Sequence, residues 1–207
     1  MTIPYVTFMK HAQKVTKSAP EARPVLKGVC HVYDGSLYVT DSYRLYAAKH
    51  MHSNAEISVV DPKTGGTIDG SYPDVSRLIP NMADAKYIAR LNVKEALNAF
   101  NALLKANQVF GKGEERVEVR PIDEGKKIAF VAENRVMTAS YEVPTQEGEI
   151  DGLTFNTTFV VDALRLFKDA GVTNAELRFY GDLRPFTITD GSLLALISPI
   201  RVTRGDD

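Results

Sequence analysis

Three short turns constrain this chain more than any other feature. Asp34-Gly35 separates the apolar runs Val29–Val32 and Leu37–Thr40, and Asp190-Gly191 separates Phe186–Thr189 from Leu193–Ser198. Asp123-Glu124-Gly125 likewise separates Arg116–Pro121 from Lys127–Ala132. Glycine reaches the positive φ of a tight turn without a Cβ penalty, and so short a turn returns the chain alongside the strand it has just left. Val136–Val143 extends the second set toward Pro144, Ala175–Tyr180 leads through Gly181-Asp182 into the third, and Arg44–Ala48 and Ile57–Val60 read as further strands. These runs predict antiparallel sheets.

Between the strand sets the period changes from 2 to 3.6. Three helices are expected, over Phe8–Ala19, Val93–Asn107 and Thr158–Ala170. The second buries Val93, Ala96, Leu97, Phe100, Leu103 and Leu104; the third buries Val160, Ala163, Leu164 and Phe167. A short strand, Tyr5–Phe8, is expected before the first. From Met82 to Val202 the order is strand, helix, several strands, then the same again. That is an α+β fold with helices on one side of the sheet and a duplicated unit. The N-terminal part repeats only half of it, and the Asp61-Pro62-Lys63-Thr64-Gly65-Gly66 loop marks its end. A partial domain over residues 1–71, a link over 72–81 and a complete domain over 82–207 are therefore expected.

With 44 % hydrophobic residues, the 207-residue chain can build a core, and its net charge of −1 excludes a general polycation. Nucleic-acid contact must come from local stripes. Lys10, Lys14 and Lys17 fall on one face of the first helix, and Lys94 and Lys105 line up with Asn98 and Asn101 on the second. Arg165 and Lys168 on the third stand beside Asp162 and Asp169, a weaker stripe. An ordinary solvated helix face gives the same pattern. The most apolar run, Leu193–Ile200, is too short to span a bilayer, and the N-terminus carries no secretory pattern, so a cytoplasmic location is expected.

No catalytic set stands out. Cys30 lies among strand residues as a packing thiol. His50-x-His52 lacks a third metal ligand, Gly111-Lys112-Gly113-Glu114 lacks Walker spacing, and Asp61-Pro62-Lys63-Thr64-Gly65 lacks the context of a phosphorylated Asp loop. Neither cofactor nor metal is expected.

Three stretches instead mix a turn residue or proline, an Arg and aliphatic side chains: Thr40-Asp41-Ser42-Tyr43-Arg44-Leu45, Tyr72–Pro80 and Ser198-Pro199-Ile200-Arg201-Val202. Such composition suits a surface pocket for another protein's apolar side chains. Together with Arg23-Pro24-Val25-Leu26-Lys27-Gly28 and Phe155–Leu164, their order and wording resemble the bacterial sliding-clamp family, the beta subunit of DNA polymerase III. Ser42 stands where that family's turn has Gly, Tyr43 for His, Val75 for Tyr, Phe159 for Tyr and Ser198 for Met. The stretch between Arg44 and Tyr72 is shorter than in the family, and no counterpart of its first domain is present, which puts ring closure in question.

The resemblance implies a DNA-clamp fold and a processivity factor, not an enzyme, that tethers a DNA polymerase. It places a peptide pocket at Leu26, Thr40, Tyr43, Arg44, Leu45, Pro73, Arg77, Leu78, Leu183, Leu196 and Ser198, with Arg23, Asn156, Phe159, Pro199, Ile200 and Arg201 at a second lobe. Leu26, Leu45, Leu78 and Leu196 would form an apolar hole, with arginines at its rim. It also turns the lysine-bearing helices toward duplex DNA, contacted without regard to sequence. Implied partners are polymerases and other proteins with clamp-binding motifs, a clamp loader, and further copies of the chain, joined through an edge strand near Phe179. The alternative is a clamp-fold adaptor or competitor that binds the same motifs without encircling DNA. No membrane is involved in either.

Overall fold

The computed structural model describes residues 3–109, 115–147 and 152–201. Helix α1 (Tyr5–Lys17) is followed by strands β1 (Val29–His31), β2 (Leu37–Thr40), β3 (Arg44–Ala48) and β4 (Ser58–Val60). Then come β5 (Tyr87–Asn92), α2 (Val93–Gln108), β6 (Arg116–Ile122), β7 (Lys127–Glu133), β8 (Thr138–Glu147) and β9 (Leu153–Asn156). Helix α3 (Thr157–Asp169), β10 (Asn174–Phe179), β11 (Phe186–Thr189) and β12 (Leu193–Ile197) complete the order.

Each helix starts where its local chemistry allows. Asn92 Oδ1 accepts from the Lys94 and Glu95 N–H groups at 3.1 Å each, and Asn156 Oδ1 accepts from the Thr158 N–H at 2.8 Å. Tyr5–Phe8, expected as a strand, is the first turn of α1. Pro4 sits at its N-cap, and Phe8 shares one buried face with Ala12 and Val15, so the period of 3.6 begins earlier than four residues could reveal. Arg23–Gly28 contains a single 3₁₀ turn, Pro24–Lys27. The Gly35 and Gly191 turns take φ of +83° and +96°, as their sequences require.

The strands form one twelve-stranded antiparallel array, ordered β4-β1-β2-β3-β12-β11-β10-β5-β8-β7-β6-β9. Phe179, expected near an edge, lies on β10 between β5 and β11; the ends of the array are β4 and β9. The order strand, helix, three strands occurs twice, once as β5-α2-β6-β7-β8 and once as β9-α3-β10-β11-β12. Residues from all three helices pack into one core with the inward side chains of the sheet.

The N-terminal part joins this array through β3, which pairs with β12 from Arg44↔Ile197 to Ala48↔Leu193. Tyr46, Ala48, Leu193, Ala195 and Ile197 face the helices, whereas Leu45, Ala47, Leu194 and Leu196 face the opposite side. There Tyr72, Val75, Ile79 and Met82 cover them, so both strands are buried on both faces.

One charge crosses the same junction. Arg44 is 4 % exposed; its Nε donates to Asp41 Oδ2 and its Nη1 to Asp162 Oδ2, each at 3.0 Å. Lys14 Nζ donates to Asp162 Oδ1 at 2.8 Å. The network thus ties α1 and β3 to α3. Burial alone would raise the Asp162 carboxyl, but the hydrogen bonds from Lys14 and Arg44 outweigh it and hold the group below its ordinary value.

Removing Asp162 leaves Arg44 buried with one of its two carboxylates. Asp162→Ala is expected to lower the unfolding free energy by about 3 kcal/mol in a denaturant titration, and a loss below about 0.5 kcal/mol, as at an exposed ion pair, would contradict the assignment. A depressed carboxylate contributes above its unfolded pKa of about 4 and loses that contribution as pH falls through the folded value. Asp162→Asn should accordingly show a flatter stability profile than wild type on acidification below about pH 4.

Candidate protein-binding and nucleic-acid interfaces

The Thr40–Leu45 turn is built to present one side chain. Thr40 Oγ1 donates to the Arg44 carbonyl at 2.7 Å and accepts the Ser42 N–H at 3.1 Å. Asp41 Oδ1 accepts the N–H groups of Tyr43 and Arg44 at 3.0 Å each. With these polar groups tied down, the Tyr43 ring stands 63 % exposed at the tip. The Ser198 N–H donates to the Tyr43 carbonyl at 2.9 Å and the Ile200 N–H to the Thr154 carbonyl at 2.7 Å. Thr40, Tyr43, Leu45, Leu196 and Ser198 therefore meet at one end of the β3–β12 junction.

The expected apolar hole is divided in the structure. Leu45 and Leu196 are cross-strand partners buried beneath the 72–82 segment with Val75, while Leu78, on the same 3₁₀ turn as Val75, is 56 % exposed. Leu26 is buried and lines a separate open groove of about 590 Å³ with Arg23, Val25, Asp69 and Pro73. Arg44, expected at the rim, is held inside by Asp41 and Asp162, with Phe159 stacked 4.6 Å from its guanidinium carbon. Arg77 is exposed and pairs with Asp74 at 2.7 Å. Leu183 is exposed between β10 and β11, Asn156 caps α3, Pro199 and Ile200 are half-buried, and Arg201 is exposed.

A further cleft of about 570 Å³ lies on the face away from the helices, at the far end of β3 and β12. Tyr38, Ala47, Leu194 and Thr189 form its floor in one cross-strand row, under Ile79, Pro80 and Met82. The pocket residues expected from the sequence do not line it. The row is formed by sheet register across four strands, which no local motif records.

On the opposite face, α1, α2 and α3 enclose a groove of about 420 Å³ lined by Lys10, His11, Lys14, Asn98, Asn101 and Arg165, with Lys168 and Asp169 beside them. His11 Nε2 lies 2.9 Å from Asp169 Oδ2, Lys10 Nζ lies 4.0 Å from the same oxygen, and Arg165 Nη2 donates to Asn101 Oδ1 at 3.1 Å. Lys14 departs from its expected role as an uncommitted surface cation, being bonded to Asp162. Lys17, Lys94 and Lys105 are exposed outside the groove. Arg165 and Lys168, the weaker stripe in the sequence, belong to it because α3 packs between the other two helices.

His52 approaches His31, not His50, with ring centroids 5.0 Å apart, and no group of three or more His, Cys, Asp or Glu residues among the described residues could hold a metal ion. No described helix is long and apolar enough to cross a membrane. The Gly111–Glu114 stretch and Val202 lie outside the described residues.

No protein-family model matches the chain. It is 28 % identical over 141 residues to the beta sliding clamp of Streptococcus pneumoniae and 29 % identical over 147 residues to that of Bacillus subtilis. Each match covers 65 % of this chain and 35 % of the relative. Among solved structures, the DNA polymerase sliding clamp of Bacillus subtilis superposes with a TM-score of 0.76 at 22 % identity, covering 97 % of this chain and 64 % of the other. The DNA polymerase III beta subunit of Thermotoga maritima gives 0.75 at 19 % identity, covering 97 % and 65 %. The fold is the DNA-clamp fold, and the chain resembles the beta sliding clamps in sequence as well. It spans about a third of the length of the curated relatives it matches and less than two thirds of the solved clamp chains.

Ser42, where the resemblance places glycine, holds φ of +78°. A Cβ is strained in that region. Ser42→Gly is expected to stabilise the protein by about 0.5–1 kcal/mol in chemical denaturation, less a small entropic loss. A destabilised variant would mean that the Ser42 side chain makes a contribution beyond the turn.

Proposed function

We propose that the chain acts as a sliding-clamp-like processivity factor, lying along duplex DNA with its helix face and holding a polymerase by a short peptide at the β3–β12 seam. The observation that carries this reading is the seam itself. Continuous β3–β12 pairing joins the partial and complete units, and it brings the 40–45, 72–80 and 196–201 stretches to one place while leaving Tyr43, Leu78 and Arg77 exposed there. Exposed aromatic and aliphatic side chains beside a preformed backbone are what a short extended peptide needs for its anchors. The function is binding, with no catalytic step. The lining comprises Tyr43, Leu78, Pro73, Arg77, Ser198 and the second-lobe residues, with Leu45 and Leu196 as its floor. Other proteins with the same peptide motif, a loader, and further copies of the chain are the corresponding partners.

DNA contact is assigned to the helix side, where Lys10, Lys17, Lys94, Lys105, Arg165 and Lys168 present cations, and where the Asn101 amide is already bonded to the Leu97 carbonyl and to Arg165. Such a surface reads phosphates, and a protein that slides must do no more.

A fluorescent peptide with a Leu/Phe anchor should bind with a Kd of about micromolar order, as short anchors in preformed grooves do. Because Leu78 is already exposed, Leu78→Asp should preserve the fold and weaken binding by about tenfold or more through an unpaired charge at the anchor site. Equal polarisation curves would remove Leu78 from the site.

For DNA, Lys17, Lys94 and Lys105 are the residues to change, since Lys14 also supports the buried network. Replacing all three with Gln should lower affinity for every duplex alike and reduce the slope of log K against log salt by about 0.9 for each phosphate that is no longer neutralised. Unchanged slopes would rule out these residues as phosphate ligands, and a preference for one duplex sequence would contradict sliding.

A further inference from the structure

On the sheet face away from the helices, the turn after β1 and the start of the 72–82 segment enclose a cleft of about 380 Å³. Three tyrosines line it: Tyr33, Tyr38 and Tyr72, with Ile57 beside them and Asp34 and Asp74 as the charged members. No Lys, Arg or His among the described residues lines it. We propose that this cleft receives an arginine side chain from an extended segment of a partner protein, its guanidinium stacked on the tyrosine rings and paired with Asp34 and Asp74.

Two of the rings are fixed before any partner arrives. The Tyr72 hydroxyl accepts the Thr40 N–H at 3.2 Å. Tyr38 sits on the central strand of three, paired across to Cys30 on β1 and to Ala47 on β3. Tyr33 and Ile57 stand mostly exposed at the rim, where a free protein gains nothing from holding two large apolar side chains in water. Preset aromatic faces lower the ordering cost of binding, and a cation over a tyrosine ring is attracted by the ring quadrupole.

The carboxylates decide the sign of the ligand. Asp34 Oδ1 accepts the Ser36 N–H at 2.8 Å, while Oδ2 has no hydrogen bond among the described residues. Asp74 pairs with Arg77 at 2.7 Å, but that Arg side chain is 84 % exposed, and a solvated ion pair is readily exchanged for a better one. Asp34, which has no cation among the cleft's lining residues, and Asp74, whose only ion-pair partner among the described residues is the solvated Arg77, favour a cationic side chain over a phosphate. Arginine suits the site better than lysine because its planar fork can stack and bind a carboxylate at once.

Pro73 lines this cleft and also the adjoining Arg23–Leu26 groove. One extended segment could therefore occupy both, although the cation site does not depend on the seam's role in polymerase tethering.

The test uses the full chain labelled at its tyrosine rings for NMR, titrated with acetyl-Ala-Leu-Arg-Ala-amide and with the same peptide carrying citrulline in place of arginine. The arginine peptide should shift the Tyr33, Tyr38 and Tyr72 resonances saturably at millimolar concentration, and citrulline should bind about fivefold more weakly or worse. The double substitution Asp34→Asn, Asp74→Asn keeps the side-chain acceptors of both turns and should weaken the arginine peptide by about fivefold. Tyr33→Leu, at an exposed position, should weaken it by about threefold. If the acidic double variant fails to fold, the citrulline and Tyr33→Leu arms decide. Equal affinity for arginine and citrulline, or shifts that spare the three tyrosines, would overturn the proposal.

Discussion

The fold turns on a guanidinium that cannot leave. Arg44 is buried at the junction of β3 with β12, and an unpaired charge there would cost more than a domain of this size can spare. It is held by Asp41 from its own turn and by Asp162 from α3, and Asp162 in turn is bonded to Lys14 of α1. Two carboxylates thus hold Arg44 and Lys14 across three elements that lie far apart in sequence, and Arg165 Nη1 also stands 3.7 Å from Asp162 Oδ1. Such a network adds less net energy than its close distances suggest, because desolvation offsets most of the attraction. It fixes geometry instead: α1, β3 and α3 have one relative arrangement in which the buried Arg44 keeps both of its carboxylates.

That arrangement supports the N-terminal elements. Four strands and one helix bury little apolar surface alone, and β3 would be an open edge with its outer face exposed. Pairing with β12 closes the edge. The inward residues Tyr46 and Ala48 then enter the same core as Ala195 and Ile197, and Leu45 and Ala47 join Leu194 and Leu196 under Tyr72, Val75, Ile79 and Met82. Segment 72–82 thus serves as the second layer of the junction. Because it covers Leu45 and Leu196, any peptide bound there must rest on exposed groups such as Tyr43 and Leu78 above that floor.

Much of this was legible in the sequence, for physical reasons. Asp34-Gly35 and Asp190-Gly191 dictate hairpins through local backbone preference, and the apolar faces of α2 and α3 repeat for long enough to establish their period. Of the short stretches on which the family resemblance rests, Thr40–Leu45, Tyr72–Pro80 and Ser198–Arg201 meet around the β3–β12 seam, whereas Leu26 of the Arg23–Gly28 stretch lines a separate groove. The features that are not legible depend on long-range register or on too short a window. Tyr5–Phe8 offers four residues, in which helix and strand patterns cannot be told apart. Phe179 lies inside the array because β5, remote in sequence, pairs along the whole of β10. Arg44 reads as a surface residue until α3 brings Asp162 within 3.0 Å. The cross-strand row Tyr38–Ala47–Leu194–Thr189 exists only once four strands are in register.

Two sites on opposite faces of the array differ in charge in a way that the overall balance of −1 conceals. The helix side gathers Lys10, Lys14, Arg165 and Lys168 around one groove, while the other side gathers Asp34 and Asp74 around tyrosines. The lining of the first favours anionic groups and that of the second cationic ones. Since the sheet is one continuous array, neither surface can rotate to the other side without breaking β3 from β12. The junction that buries Arg44 therefore also keeps the lysine- and arginine-lined groove and the tyrosine cleft with its two carboxylates on opposite faces.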